Sequence, residues 1–178
     1  NANGARAAIP IAADLDLELI PAIEFTGRWE ACARPGWGGD VDVLGYFVDL
    51  DDPDFRTIER ETLADIQARI ALCCARLTAA GYPVAFGEVR AKNPHYAGAR
   101  QLREVLVDKG YASDEDAATR LFADHWQHVR LCKFTIGEHI AAIKAAGGVA
   151  IMAHPTGITC GDEGWLGADR IAQLVELG

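Results

Sequence analysis

The stretch from Thr135 to Pro155 constrains the fold more than any other part of this chain. Thr135 with Glu138 three positions on is a capping box, in which each side chain takes a backbone N–H the new helix leaves free. Ile136, Ile140 and Ile143 then fall on one helical face. Gly147-Gly148 stops that helix, and Val149-Ala150-Ile151-Met152 follows at once as a short apolar strand. A helix leading directly into a buried strand is a building unit of α/β folds. The strand closes on Ala153-His154-Pro155. A histidine there has its backbone held by the strand and its ring facing a loop, which suits metal ligation.

Two further apolar runs, Leu17 to Phe25 and Val41 to Val48, read as buried strands. They carry Glu24 and Asp42. Together with His154 these two carboxylates suggest part of a metal site. Near-continuous apolar strands between helices predict a parallel, helix-covered sheet. Sites in such folds lie at the carboxyl ends of the strands, where Glu24 and His154 are expected.

Helices are expected elsewhere. Ala5 to Ala13 reads as a helix tail containing Pro10. Asp51-Asp52-Pro53-Asp54 starts a long helix, its acidic residues favouring the positive end of the dipole. Leu63, Ile66, Ile70, Cys73 and Leu77 form its apolar face, and Gly81 ends it. Val84 to Arg90 is ambiguous. Gln101 to Lys109 reads as helix, Ser113 with Asp116 resembles a cap for another running to Phe122, and Ala168 to Leu177 is helical again.

Half of the 178 residues are hydrophobic, and the net charge is −9. That balance argues against a duplex nucleic-acid partner, which needs a cationic face to displace counterions. A small phosphorylated substrate stays compatible, because bound divalent cations reverse the local field. No apolar run approaches the roughly 20 residues of a membrane span, and no leader pattern stands at the start. Five cysteines without a Cys-x-x-Cys spacing are expected to be reduced packing residues of a cytoplasmic protein. His125 and His128 have a zinc-compatible spacing, but a plain surface reading fits them better. His95 and His139 read as ordinary polar positions. Arg28 and Trp29, following Glu24 closely, are candidates for lining a pocket, although a packed Trp is the more common case.

Four stretches, Leu17 to Glu24, Asp40 to Asp49, Leu106 to Tyr111 and Ala145 to Pro155, together resemble the PHP family, the polymerase and histidinol phosphatase domain of metal-dependent phosphoesterases. The resemblance covers nearly the whole chain. It implies a partial, distorted TIM-like (β/α) barrel with two or three metals, interrupted by a mostly helical inserted subdomain. On that reading residues 1–50 begin the barrel, 51–133 are the insertion and 134–178 return to the barrel. The family's opening His-x-His pair would precede this chain and its closing Asp-x-His pair would follow it. An internal, incomplete part of the domain, inactive in isolation, is therefore expected.

By position, Glu24 matches the carboxylate that bridges two metals and His154 the ligand of an Ala-His-Pro-like motif. Asp42 stands where many members have histidine, which shifts the preference toward Mn or Mg. The family's Arg-Pro-His-like motif is replaced by Gly98-Ala99-Arg100-Gln101. Arg100 and Lys133 are the candidates for gripping a substrate phosphate. The implied function is hydrolysis of a phosphomonoester or short nucleotide phosphate by a water activated on divalent metal ions (Mn, Fe, Zn or Mg). The departures at Asp42 and Gln101 keep a second reading open, a non-catalytic PHP-like module that binds a partner or ligand.

Overall fold

The computed structural model describes residues 2–33, 39–129, 132–155 and 167–178. In chain order these form α1 (Asn3–Asp14), β1 (Ala22–Arg28), a 3-10 turn (Glu30–Cys32), β2 (Asp40–Tyr46), α2 (Pro53–Ala79), α3 (Phe86–Lys92), α4 (Ala99–Asp108), α5 (Glu115–Trp126), α6 (Ile136–Ala145), β3 (Val149–Met152) and α7 (Ala168–Glu176). The chain divides into two compact units. One joins Asn1–Thr62 to Leu131–Gly178, and the other is Leu63–Arg130.

The first unit is mixed α/β. Its sheet has the order β1-β2-β3. Both pairings are antiparallel. The predicted parallel sheet is therefore wrong, and among the described residues three strands do not make a TIM-like barrel. The apolar runs misled because their burial alternates. Ile23, Phe25, Val41 and Val43 are buried, whereas Glu24, Thr26, Asp42 and Leu44 between them are not. Such alternation belongs to a sheet covered by helix on one face only. The link between β1 and β2, residues 29–39, is also shorter than a parallel crossover needs. β1 starts later than expected, at Ala22, because Pro21 has no N–H for a ladder. Leu17 and Ile20 ahead of it are exposed.

Helix α6 covers the inner face, packing Ile136, Ile140 and Ile143 into one core with Ile23, Phe25, Val41, Val43 and Phe55. Its capping box forms as the sequence predicts. Thr135 N–H donates to Glu138 Oε2 at 2.7 Å, and Glu138 N–H donates to Thr135 Oγ1 at 3.2 Å. The Thr135 N–H, and the Thr135 hydroxyl donating to the same Oε2 at 2.8 Å, hold the Glu138 carboxyl below its usual range. Gly27 lets the start of α6 approach β1, since a Cβ there would stand 2.8 Å from Ile136 N. The Arg28 N–H then donates to Phe134 O at 2.9 Å.

The second unit is helical. Ile70, Cys73, Leu77, Val89, Leu102, Leu106 and Phe122 form its core. The ambiguous segment becomes α3, where Glu88 Oε2 accepts the Ala85 N–H at 2.8 Å. Helix α5 is capped by Asp114, which accepts from Ala117 N at 2.8 Å, one residue beyond the expected Ser113. Cys73 and Cys74 are free, and burial pushes their thiols up to about 12 and about 11. Cys132 is buried. Cys32 is disulfide-bonded, so the expectation of five reduced cysteines is corrected. That expectation rested on the odd number of cysteines and the lack of a Cys-x-x-Cys spacing, neither of which excludes a single bridge. No helix of the described residues is long and apolar enough to cross a membrane.

Candidate metal centre

The outward face of the sheet gathers Glu24, Asp42 and His154. In the antiparallel register Glu24 lies opposite Leu44, and Thr26 lies opposite Asp42. The two carboxylates are thus diagonal neighbours on one face, within reach of each other across the ladder. The third strand adds His154 just past its end, where the Ala153 N–H donates to Asp42 O at 3.0 Å. One ligand atom from each of the three residues lies within 4.8 Å of the others. His154 Nε2 is 3.1 Å from Asp42 Oδ2 and 3.7 Å from Glu24 Oε1. Glu24 and His154 are exposed, and Asp42 is half-buried.

His154 sits at φ 31°, a left-handed backbone uncommon for any residue with a Cβ. Glu24 occupies the first half of β1 rather than its carboxyl end, because antiparallel pairing puts the meeting point of the three groups within the strands. On the same face, Thr26 Oγ1 donates to Asp42 Oδ1 at 2.6 Å.

Arg100 lies on α4 in the helical unit, where its Nε donates to Glu104 Oε1 at 3.1 Å. Lys133 is in the sheet unit. Its Nζ donates to Glu61 Oε2 at 2.6 Å and stands 4.9 Å from the centre of the Phe134 ring. The Lys133 ammonium holds the Glu61 carboxyl below its ordinary range. A cleft of about 790 Å³ in the helical unit is lined by Arg100 together with Lys92, Arg103, Glu104, Asp108 and Glu115, an even mixture of charges. An apolar cleft of about 520 Å³ lies between the inner sheet face, α6 and α7. Neither cleft includes Glu24, Asp42 or His154 in its lining.

His139 is not the ordinary polar position expected of it. It is fully buried, stacked on Phe25 with ring centres 4.5 Å apart. Its Nε2 is 3.1 Å from Thr62 Oγ1, and its Nδ1 has no hydrogen-bond partner. Burial pushes the imidazole down to about 4. The clue was present in the sequence, since position 139 falls on the helical face that Ile136 and Ile143 define. Thr26 carried no comparable clue, because its role depends on strand register.

No family model matches the chain. A 5'-3' exoribonuclease of Haemophilus influenzae is 25% identical over 146 residues, covering 81% of this chain and 51% of that protein. The 5'-3' exoribonuclease Rnm of Salmonella typhimurium is 28% identical over 158 residues, covering 84% and 52%. The chain thus spans about half the length of the curated relatives it matches. A solved structure from Bifidobacterium adolescentis, classed provisionally as a metal-dependent phosphoesterase, superposes with a TM-score of 0.78 at 20% identity. It matches 100% of this chain and 61% of its own. An amidohydrolase of Chromobacterium violaceum, with bound sulfate and no metal, gives a TM-score of 0.76 at 21% identity over 98% of this chain and 58% of its own. This likeness is one of fold.

Proposed function

We propose that the protein is a metal-dependent hydrolase of phosphoric esters in which Glu24, Asp42 and His154 supply part of the cation site. The observation that carries this reading is the meeting of their ligand atoms within 4.8 Å. The donor set suits a divalent ion. Atoms bound about 2.1 Å from one ion stand roughly 3–4.3 Å apart, and the spacings from His154 Nε2 are 3.1 and 3.7 Å. Two carboxylates and a neutral imidazole also leave a double negative charge for a cation to balance. Carboxylate oxygens with one imidazole suit Mn or Mg, with Zn and Fe as competitors.

A bound divalent ion supplies a more acidic water and neutralises charge on phosphate oxygens. The chain's own groups hold and orient. Glu24, exposed on the outward face of the sheet, would offer its carboxylate to the bound ion. His154 offers the Nε2 lone pair, which requires the neutral ring with its proton on Nδ1. The backbone bond from Ala153 to Asp42 ties the position of the histidine to that of the carboxylate.

The substrate we favour is a phosphomonoester or the 5' end of a short nucleic acid. The names of the two exoribonucleases and of the phosphoesterase neighbour support it. The net charge of −9 weighs against duplexes, yet it is no bar to a single strand delivered to a cation-loaded site. This chain would supply an incomplete part of that hydrolase, so the test uses a protein of the relatives' full length that contains it: hydrolysis of an aryl phosphate and of a 5'-phosphorylated oligoribonucleotide, before and after chelation and Mn2+ addition. Activity should need the metal and fall by more than about 100-fold in Glu24→Ala and in Asp42→Ala, a larger loss than outer groups cause. Full activity in either variant would overturn the assignment.

A further inference from the structure

We infer that Thr26 is a positioning residue that makes Asp42 a one-oxygen ligand and thereby sets which cation the site prefers; this rests on the metal reading above. Three observations meet here. Thr26 and Asp42 are direct cross-strand partners on the outward face. The Thr26 hydroxyl donates to Asp42 Oδ1 at 2.6 Å, in the short range of a bond to an ionised acceptor. The other oxygen, Oδ2, is the one that faces His154 Nε2, at 3.1 Å. The two oxygens of one carboxylate are therefore divided between a hydroxyl and the cluster.

That division has a chemical consequence. A carboxylate free to turn can present both oxygens to one ion. Calcium, at 2.3–2.6 Å, accepts such two-oxygen binding readily, whereas Mg2+ holds near-octahedral geometry at about 2.0–2.1 Å. With Oδ1 engaged by Thr26, Asp42 presents Oδ2 alone, in a fixed orientation. This favours the smaller ions and disfavours calcium. Groups that orient a ligand in this way commonly change metal affinity about 10–100-fold.

The test compares Mn2+ and Ca2+ binding to the protein, wild type against Thr26→Val, Thr26→Ala, Thr26→Ser and Asp42→Ala. Electron paramagnetic resonance of free Mn2+ and Ca2+ competition are the readouts. Valine keeps the shape and suits a strand, so thermal melts in chelator should match wild type. We expect Mn2+ affinity to fall about 10-fold or more in the valine and alanine variants. The Mn2+ to Ca2+ preference should fall with it, and serine should restore both. A loss of affinity for both ions in proportion would point to a merely structural threonine and overturn the inference. So would wild-type binding in Thr26→Val beside a clear loss in Asp42→Ala. If the wild type itself binds no Mn2+, or Asp42→Ala binds it normally, the metal reading falls and takes this inference with it.

Discussion

In the helical unit opposite charges meet in pairs, whereas the outward sheet face of the other unit gathers like charges. Lys92, Arg100, Arg103 and Lys109 each meet a carboxylate, from Asp108, Glu104, Glu115 and Glu88 respectively. The left-handed backbone positions described in that unit are glycines, Gly81 and Gly110. On the sheet face two carboxylates share one imidazole. The positions that follow β2 and β3, Phe47 at φ 60° and His154 at φ 31°, are left-handed without being glycine. Matched charge and glycine turns are what a purely structural region needs. Unbalanced charge and a left-handed histidine are what the proposed metal reading expects of a site, since functional sites commonly give up stability to place groups.

Substitutions can break this contrast. The largest effect belongs to the helical core. Leu102 is fully buried there, and Leu102→Ala should cost about 2–5 kcal/mol in urea melts while leaving Mn2+ affinity unchanged. A fall in affinity at temperatures where the variant stays folded would mean the two regions are not separable in this way. Next is the buried imidazole of the sheet unit. His139 titrates at about 4 when folded, against 6.5 for the free group. Between those values the unfolded chain binds a proton that the folded one refuses, so this contribution is complete above pH 6.5 and is lost as pH falls toward 4. At roughly 1.4 kcal/mol per pH unit it reaches about 3 kcal/mol. His139→Gln should flatten that part of the pH dependence, measured by urea melts from pH 4 to 7.

Gly27→Ala should cost about 1–3 kcal/mol, because the new methyl meets the backbone of Ile136 rather than a yielding side chain. The smallest effect sharpens the comparison most. His154→Gly should raise stability by up to about 1 kcal/mol through relief of backbone strain, yet weaken Mn2+ binding. A loss of stability instead would show that His154 holds the fold together and would erase the contrast.

The parts legible from sequence are those that depend on neighbours along the chain. The capping box of α6, its break at Gly147 and the apolar stripe of α2 are local and were readable. Strand direction was not, because residues 17–25 and 41–48 look alike whether they pair parallel or antiparallel. The alternation of Glu24 and Thr26 with Ile23 and Phe25 was visible but was masked by the apolar residues around it. Candidate ligands could be named one at a time from strand-end placement and family resemblance. Their mutual distances, and the hydroxyl behind Asp42, come only from the register Thr26↔Asp42.

The ladder register makes the site sensitive to parity. Side chains on a strand alternate between faces, so a single inserted residue in β1 ahead of Glu24, with the rest of the strand kept in place, would send that carboxylate toward Ile140 and the helix and bring an apolar neighbour out. Two inserted residues would restore its face but not its partner. Length changes in β1 should therefore be tolerated far less well than substitutions at most of its positions, and a frame shift of one step would take the cluster apart while leaving every one of its residues in the chain.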